Sequence, residues 1–429
     1  MLLTDLFNIK NISDISSFLK ALFIAVLFAS FISTMANAIG FTMPYDNFLY
    51  PGIAAFNDFF EVMNFVGITH TWDLPSIYAE KGINFLPPFC ISIYAACALV
   101  IKYLKITKYI IFLIVFFVPL AIVLKKSDLF VNKSKYWFLI LFSYPVLFVI
   151  TRGNIAILVF LFLVLSVLYA DKIALSMLFL AMAVSIKVTP IIFIIYFVAH
   201  YINNIKKLFA SLLLFFAFLF LLNYLSIIFI AKAVPAAAYN PYNFFKSIAI
   251  YDSWMLYKFG GFAYCSSFYL PFRFLAYKAY GYLHISLFQF ILNVKPLLIN
   301  LTVVIILLLI YLYKHSLKLL FEMIFDKDKM LKMASIIFIL FTPITNDYYL
   351  TVLFLPLFFI PFNQFTLQEK IILLLILIPK NFIYFNRAAI SPQVFINPAL
   401  LMAWLLIVTG IYNFDFITGN SKARRLEMQ

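Results

Sequence analysis

Three groups of residues in this chain stand where they can do chemistry. The first is a pair of carboxylates, Asp46 in PYDNFLYPG and Asp58 in AFNDFFEV, set among aromatics shortly after the first long apolar run. A carboxylate flanked by interfacial aromatics can take a proton from a hydroxyl, and partial burial raises its pKa toward that task. Asp46 is the first candidate for such a general base and Asp58 its rival. The plainer role for Asp46 is a turn aspartate near proline. Asp73 and Glu61 lie in stretches that read as solvated amphipathic surface. The second kind is basic: Arg152 in FVITRGNIAI and Lys187 in MAVSIKVTPII, each between apolar runs. A charge in hydrocarbon costs roughly 2.5–3.5 kcal/mol on insertion scales, so each must snorkel, pair or face a hydrated cavity. Two such groups on one face suit a phosphate; singly, each is an interfacial anchor. A third group, TNDYYL, sets Asn346, Asp347, Tyr348 and Tyr349 directly before an apolar run. They form a helix cap with an aromatic belt, or a hydrogen-bonding wall for a sugar.

Other chemistries lack their residues. His70, His200, His284 and His315 are scattered, with no HExxH and no metal-ligand spacing, so no metal is expected. There is no GxxxxGK[ST], which argues against ATP-driven transport, and no redox motif, so no cofactor is expected. Cys90, Cys97 and Cys265 form neither a disulfide framework nor a zinc spacing. The energy for any reaction must then arrive with the substrate, and a pre-activated, membrane-borne donor meets that need.

The elements that must position these residues are membrane helices. Of 429 residues, 66% are apolar and 11% charged, against roughly 45–50% and 25% in soluble domains. A water-soluble fold is excluded, because so much apolar surface cannot be hidden from water. Thirteen apolar runs are readable, at about 18–40, 88–104, 109–124, 136–150, 155–170, 174–186, 190–202, 208–230, 296–313, 333–341, 350–362, 371–385 and 398–412. The expectation is an all-α polytopic membrane protein of about 11–13 helices, filling residues 1–429 as one transmembrane domain. The N-terminus has no basic stretch before its short apolar core, so it does not read as a cleaved signal. The net charge of +15 sits between the runs, where it fixes orientation and meets lipid head groups. Membrane lipid, and not nucleic acid, is the expected partner of that charge.

The charge pattern predicts a topology. The loop 41–85 carries Asp46, Asp58, Glu61, Asp73 and Glu80 against Lys81 alone, and is placed on the non-cytoplasmic side. Connections holding Lys125, Lys126, Lys133 and Lys135, then Lys206 and Lys207, then Lys314, Lys318, Lys327, Lys329 and Lys332, are placed in the cytoplasm with the basic tail. Alternation then puts 151–154, 187–190, a second long loop at 231–287 and 342–349 outside. The loop 231–287 is basic and rich in tyrosine, suited to an anionic lipid or glycan, or to lying on head groups. Two runs separate loop 41–85 from Lys125, where the alternation demands an odd number. One of them, 88–104 or the Pro119-broken run after it, is therefore expected to be half-inserted, or the lysines 125–135 are an exception.

The stretch 152–197 resembles the middle of the polyprenol-phosphate-dependent glycosyltransferases of family 87, in the GT-C superfamily. Gly153 and Asn154 match the glycine-asparagine part of a G-Q-x-N-like turn, without its glutamine. Lys187, Thr189 and Pro190 match K-x-T-P at the start of a helix. TPITNDYYLTVLFLPL (342–357) looks like the family's S-P-x-x-W-D-H-Y-like segment, with Asn346 where Trp is usual and Tyr348 where His is usual. DNFLYPGIAAF followed by FLPP (85–88) is similar to its first-loop aspartate and later aromatic-proline pair. The resemblance implies a GT-C-type bundle of a bacterial inner membrane with its site facing the periplasm. A hexose would pass from a polyprenyl-phosphate-linked donor to a glycan or glycolipid acceptor. Asp46 would be the catalytic base; Arg152, Asn154, Lys187, Asn346, Asp347, Tyr348 and Tyr349 would bind substrate, without metal. The alternatives are an O-antigen-type polymerase using a pyrophosphate-linked donor, and a non-enzymatic lipid-linked oligosaccharide flippase or other transporter. Mid-helix charges, which favour a transporter, are nearly absent by this reading.

Overall fold

The computed structural model describes residues 14–38, 46–47, 50–51, 57–65, 86–234, 267, 325–341, 347–378 and 393–410. The run 296–313, residues 379–385 of the run 371–385, most of loop 231–287, Cys265 and the basic tail lie outside them. The helices are α1 (Ile15–Ala38), α2 (Asn57–Phe65), α3 (Pro88–Leu104), α4 (Lys108–Lys125), α5 (Tyr144–Arg152), α6 (Ala156–Leu168) and α7 (Ile173–Ile186). They continue as α8 (Ile194–Tyr201), α9 (Ile205–Ala233), α10 (Lys327–Leu340), α11 (Phe354–Phe359), α12 (Leu367–Leu377) and α13 (Gln393–Val408). The chain is thus a mostly helical membrane protein. A two-residue antiparallel ladder precedes α2, with Asp46 opposite Pro51 and Asn47 opposite Tyr50.

Among the described residues, three helical stretches are long and apolar enough to cross a membrane: Ile15–Ile32, Lys108–Leu129 and Ile205–Ala233. At about 1.5 Å per residue, the 29 residues of α9 reach about 43 Å, beyond a hydrocarbon core of about 30 Å. The 13 residues of α6 reach only about 20 Å. Yet α6 is apolar on every face, and Ile157, Val159, Phe160, Leu163 and Val164 are all buried. A helix of that kind belongs inside a bundle. Its hairpin partner α7 approaches closely on small residues: Ala181 and Ala183 are fully buried, and Ser166 and Ser176 each donate a hydroxyl to the other's carbonyl, at 2.9 and 2.8 Å. Asn223 of α9 donates to Ser185 of α7 at 2.9 Å, and Ser226 meets Ser92 of α3 at 3.3 Å.

Several runs read as single helices are broken. The run 136–150 divides into a 3₁₀ stretch, Trp137–Phe142, an extended Ser143, and α5 with Pro145 in its first turn, where the missing N–H is not needed. The run 350–362 begins as a 3₁₀ turn, Asp347–Leu353, and becomes α11. In the other direction, the run 333–341 is only the apolar part of α10. That helix starts at Lys327 because the Asp326 carboxylate accepts the Asp328 and Lys329 amides, both at 3.1 Å.

At the end of the bundle holding Lys125 and Asp326, two polar groups close the gaps such breaks leave. Asn132 donates to the carbonyls of Leu357 and Ile360, both at 2.7 Å, and accepts the Phe362 amide at 2.8 Å. Phe130 stacks on Phe358 beside it at 4.2 Å. Lys332, expected in an exposed basic connection, is instead buried: its Nζ meets Glu369 Oε1 at 2.8 Å. The same oxygen accepts Trp404 Nε1 at 3.1 Å, while Oε2 accepts the Thr366 amide at 2.8 Å in a capping box. The expected near-absence of buried charge is corrected to this extent. The lysine stays buried because α12 presents an anion already fixed by its own helix start.

A buried ion pair loses most when one partner goes. Glu369→Ala should cost about 3–5 kcal/mol, and the paired Lys332→Met, Glu369→Leu change should recover most of it. Thermal unfolding of the purified protein in detergent checks both, and a single change milder than the pair would overturn this account.

Candidate functional site

The turn after α5 is built by glycine. Gly153 sits at φ +66°, a left-handed conformation that costs glycine little. Its amide donates to Ile150 and that of Asn154 to Val149, each at 3.0 Å, forming a Schellman ending that stops α5. The chain then restarts as α6, with Asn154 Oδ1 accepting the Ala156 amide at 3.0 Å. Asn154 is thereby held rigidly between two helices, its amide nitrogen directed away from both.

That nitrogen donates to Asp58 Oδ2 at 2.8 Å, and Arg152 Nη2 donates to Asp58 Oδ1 at 3.2 Å. Each carboxylate oxygen so accepts one bond from the 152–154 turn. Asp58 stands in the first turn of α2, where a negative charge suits the helix start. Its neighbour Phe59 is fully buried against Tyr94, Phe112 and Phe116, so α2 is pinned by a ring while its carboxylate points to the turn. The Asp58 and Arg152 side chains keep 26% and 27% of their surface. Water or a ligand can therefore still reach the pair.

Lys187 follows α7 in extended backbone, with Nζ 5.4 Å from the centre of the Tyr349 ring. Tyr349 is buried and meets Phe338 edge-on at 5.4 Å. Because α6 leaves the Asn154 end and its hairpin partner α7 returns to it, Lys187 comes back to the end that holds Arg152. The 3₁₀ turn Asp347–Leu353 packs along α5, the helix that carries Arg152. The buried Thr189 hydroxyl has no hydrogen-bond partner among the described residues.

Of the residues picked out in the sequence, Asp58, Arg152 and Asn154 are thus in direct contact, and Lys187 and Tyr349 form a second contact at the same end. Asp46 lies in the short ladder, where only its backbone is described. The backbones of Asp347 and Tyr348 belong to the 3₁₀ turn, their side chains are outside the described residues, and so is all of Asn346. The Asp58–Arg152 pair is the feature that sequence reasoning missed. The available signal was an acid in the first turn of a short amphipathic segment beside an unexplained arginine, 94 positions away. Among the described residues no three His, Cys, Asp or Glu side chains gather as metal ligands. Comparison with protein-family models, curated proteins and solved structures finds no match.

The partly open pair should couple modestly. In a double-mutant cycle, Asp58→Ala and Arg152→Ala should interact by about 1 kcal/mol in thermal unfolding. Strict additivity would mean that the contact is not formed in solution.

Proposed function

We propose that the chain is a GT-C-type glycosyltransferase of a bacterial inner membrane, transferring a hexose from a polyprenyl-phosphate sugar to a glycan or glycolipid on the outer face. The observation that supports this best is the meeting of Asp58, Arg152 and Asn154, from two distant segments, at the bundle end where Lys187 lies on Tyr349. Carboxylate, fixed cations and amide are the groups that an acid-base transfer with a phosphate leaving group uses. In this reading Arg152 and Lys187 receive the donor phosphate. A leaving group held by fixed cations needs little proton donation. Asp46 then takes the proton of the acceptor hydroxyl as it attacks the anomeric carbon with inversion, and the lipid phosphate departs. Asp58, with one bond already on each oxygen, aims the guanidinium of Arg152. Asn346, Asp347, Tyr348 and Tyr349 form the sugar wall.

Phe59 touches Tyr94, while Phe60 meets Tyr109 at 5.5 Å and Lys108 at 4.7 Å, so α2 packs against both α3 and the start of α4. The proposed topology keeps 41–85 outside and Lys125 inside, with one of the two runs between them not completing a crossing. Transport is the weaker reading. An intramembrane charge often marks an ion path, but both Glu369 oxygens are committed to bonds within the fold, as a brace would be.

The test uses purified protein in liposomes with labelled polyprenyl-phosphate hexoses. Asp46→Asn should lower turnover by about 10²–10⁴ with donor still bound. Asp58→Asn should act mainly through donor affinity, and the reverse pattern would exchange the two roles. Lys187→Ala should weaken donor binding by about tenfold or more. Unchanged affinity would remove its phosphate role, and wild-type turnover in both aspartate variants would remove the enzyme.

A further inference from the structure

A second charged constellation lies where α1 begins and α4 ends. Ser16 of α1 hydrogen-bonds Ser134 at 2.9 Å, which sets the connection after α4 against the first turns of α1. Tyr136 then receives two cations on one ring: Lys20 Nζ at 4.3 Å from its centre and Lys135 Nζ at 5.4 Å. Both lysines are exposed, and they come from different segments. Lys125 and Lys133 are exposed at the end of α4 and in the connection after it, where Lys133 Nζ donates to the Asp128 carbonyl. Asp14 accepts the amide and hydroxyl of Ser17, at 2.8 and 3.3 Å. Two like charges brought to one ring repel each other, and an anion between them relieves that repulsion.

The height of this cluster is set by its neighbours. Ile15–Ile32 and Lys108–Leu129 are two of the stretches able to cross a membrane, and the cluster joins the start of one to the finish of the other. It therefore sits at head-group level. Directly beyond it the surface turns apolar: Phe23 meets Phe142 at 5.5 Å, and Leu27, Phe31, Phe138 and Phe142 are all exposed. Basic groups with an interfacial tyrosine above an open apolar strip match the two parts of a phospholipid.

We propose that Lys20, Lys135 and Tyr136 form a binding site for the head group of an anionic phospholipid, its acyl chains lying along Phe138, Phe142, Leu27 and Phe31. The site is independent of the glycosyl-transfer reading and lies at the other end of the bundle from Arg152. The test is native mass spectrometry of the full chain in detergent, titrated with phosphatidylglycerol and phosphatidylcholine of identical acyl chains. The wild type should prefer phosphatidylglycerol, and K20Q/K135Q should lose about thirtyfold of that preference, given about 1 kcal/mol per basic residue. K20R/K135R, which keeps both charges, should retain it, as should K206Q/K207Q, which removes two charges elsewhere. An undiminished preference in K20Q/K135Q overturns the site, as does an equal loss in K206Q/K207Q or in the arginine variant. A photoactivatable phosphatidylglycerol should crosslink to the peptides holding Lys20 and Tyr136, and labelling confined to other segments also overturns it.

Discussion

Hydrocarbon offers no hydrogen bonds, so each place where a helix stops inside the bundle must be closed by the protein itself. This constraint organises the molecule more than apolar packing does, because apolar side chains are everywhere in the chain and cannot by themselves select one arrangement. The breaks are met by a few polar side chains. Asn132 closes the end of α11, bonding two carbonyls and one amide. Glu369, fixed at the start of α12 by Thr366, meets Lys332 of α10, and the Ser166–Ser176 pair knits α6 to α7. Each joins segments far apart in sequence or across a hairpin, so the polar residues carry the information about which helices are neighbours.

The same demand produces the candidate site. The 152–154 turn exists because α5 must end and α6 must begin within three residues. Gly153 closes the first helix and Asn154 opens the second. Once the backbone is satisfied, the turn still presents a guanidinium and an amide nitrogen, and Asp58 accepts both. The two ion pairs therefore differ in kind. Lys332 and Glu369 are buried and committed to each other, while Asp58 and Arg152 stay open to about a quarter of their surface. Committed charge braces a fold, and open charge is available to a ligand.

Much of this was legible from residues alone. The membrane class followed from composition, and the extents of α1, α3, α4, α6, α7 and α9 followed closely from their apolar runs, since a long uncharged segment has few other ways to satisfy its backbone. The boundaries that shifted did so for local reasons: Ser143 and Pro145 split one run, and the Asp326 cap extended α10 into polar sequence. Lys332 was misplaced because a lysine's burial depends on whether an anion faces it, and that anion is 37 positions away. Asp46 stood as the first candidate and Asp58 as its rival, both acidic and both among aromatics. Only the packing of Phe59 against α3 and α4 turns the second toward Arg152.

The amino-acid sequence by itself determined that this chain lives in a membrane, where its helices run, and which few polar residues are too costly to be incidental. Periodicity and composition are local, and they report what each segment must bury. The tertiary structure decided which of those residues meet: Asp58 with Arg152 and Asn154, Lys187 with Tyr349, Lys20 and Lys135 over one tyrosine. Pairing is a property of two surfaces brought together by packing, and no single stretch of chain carries it.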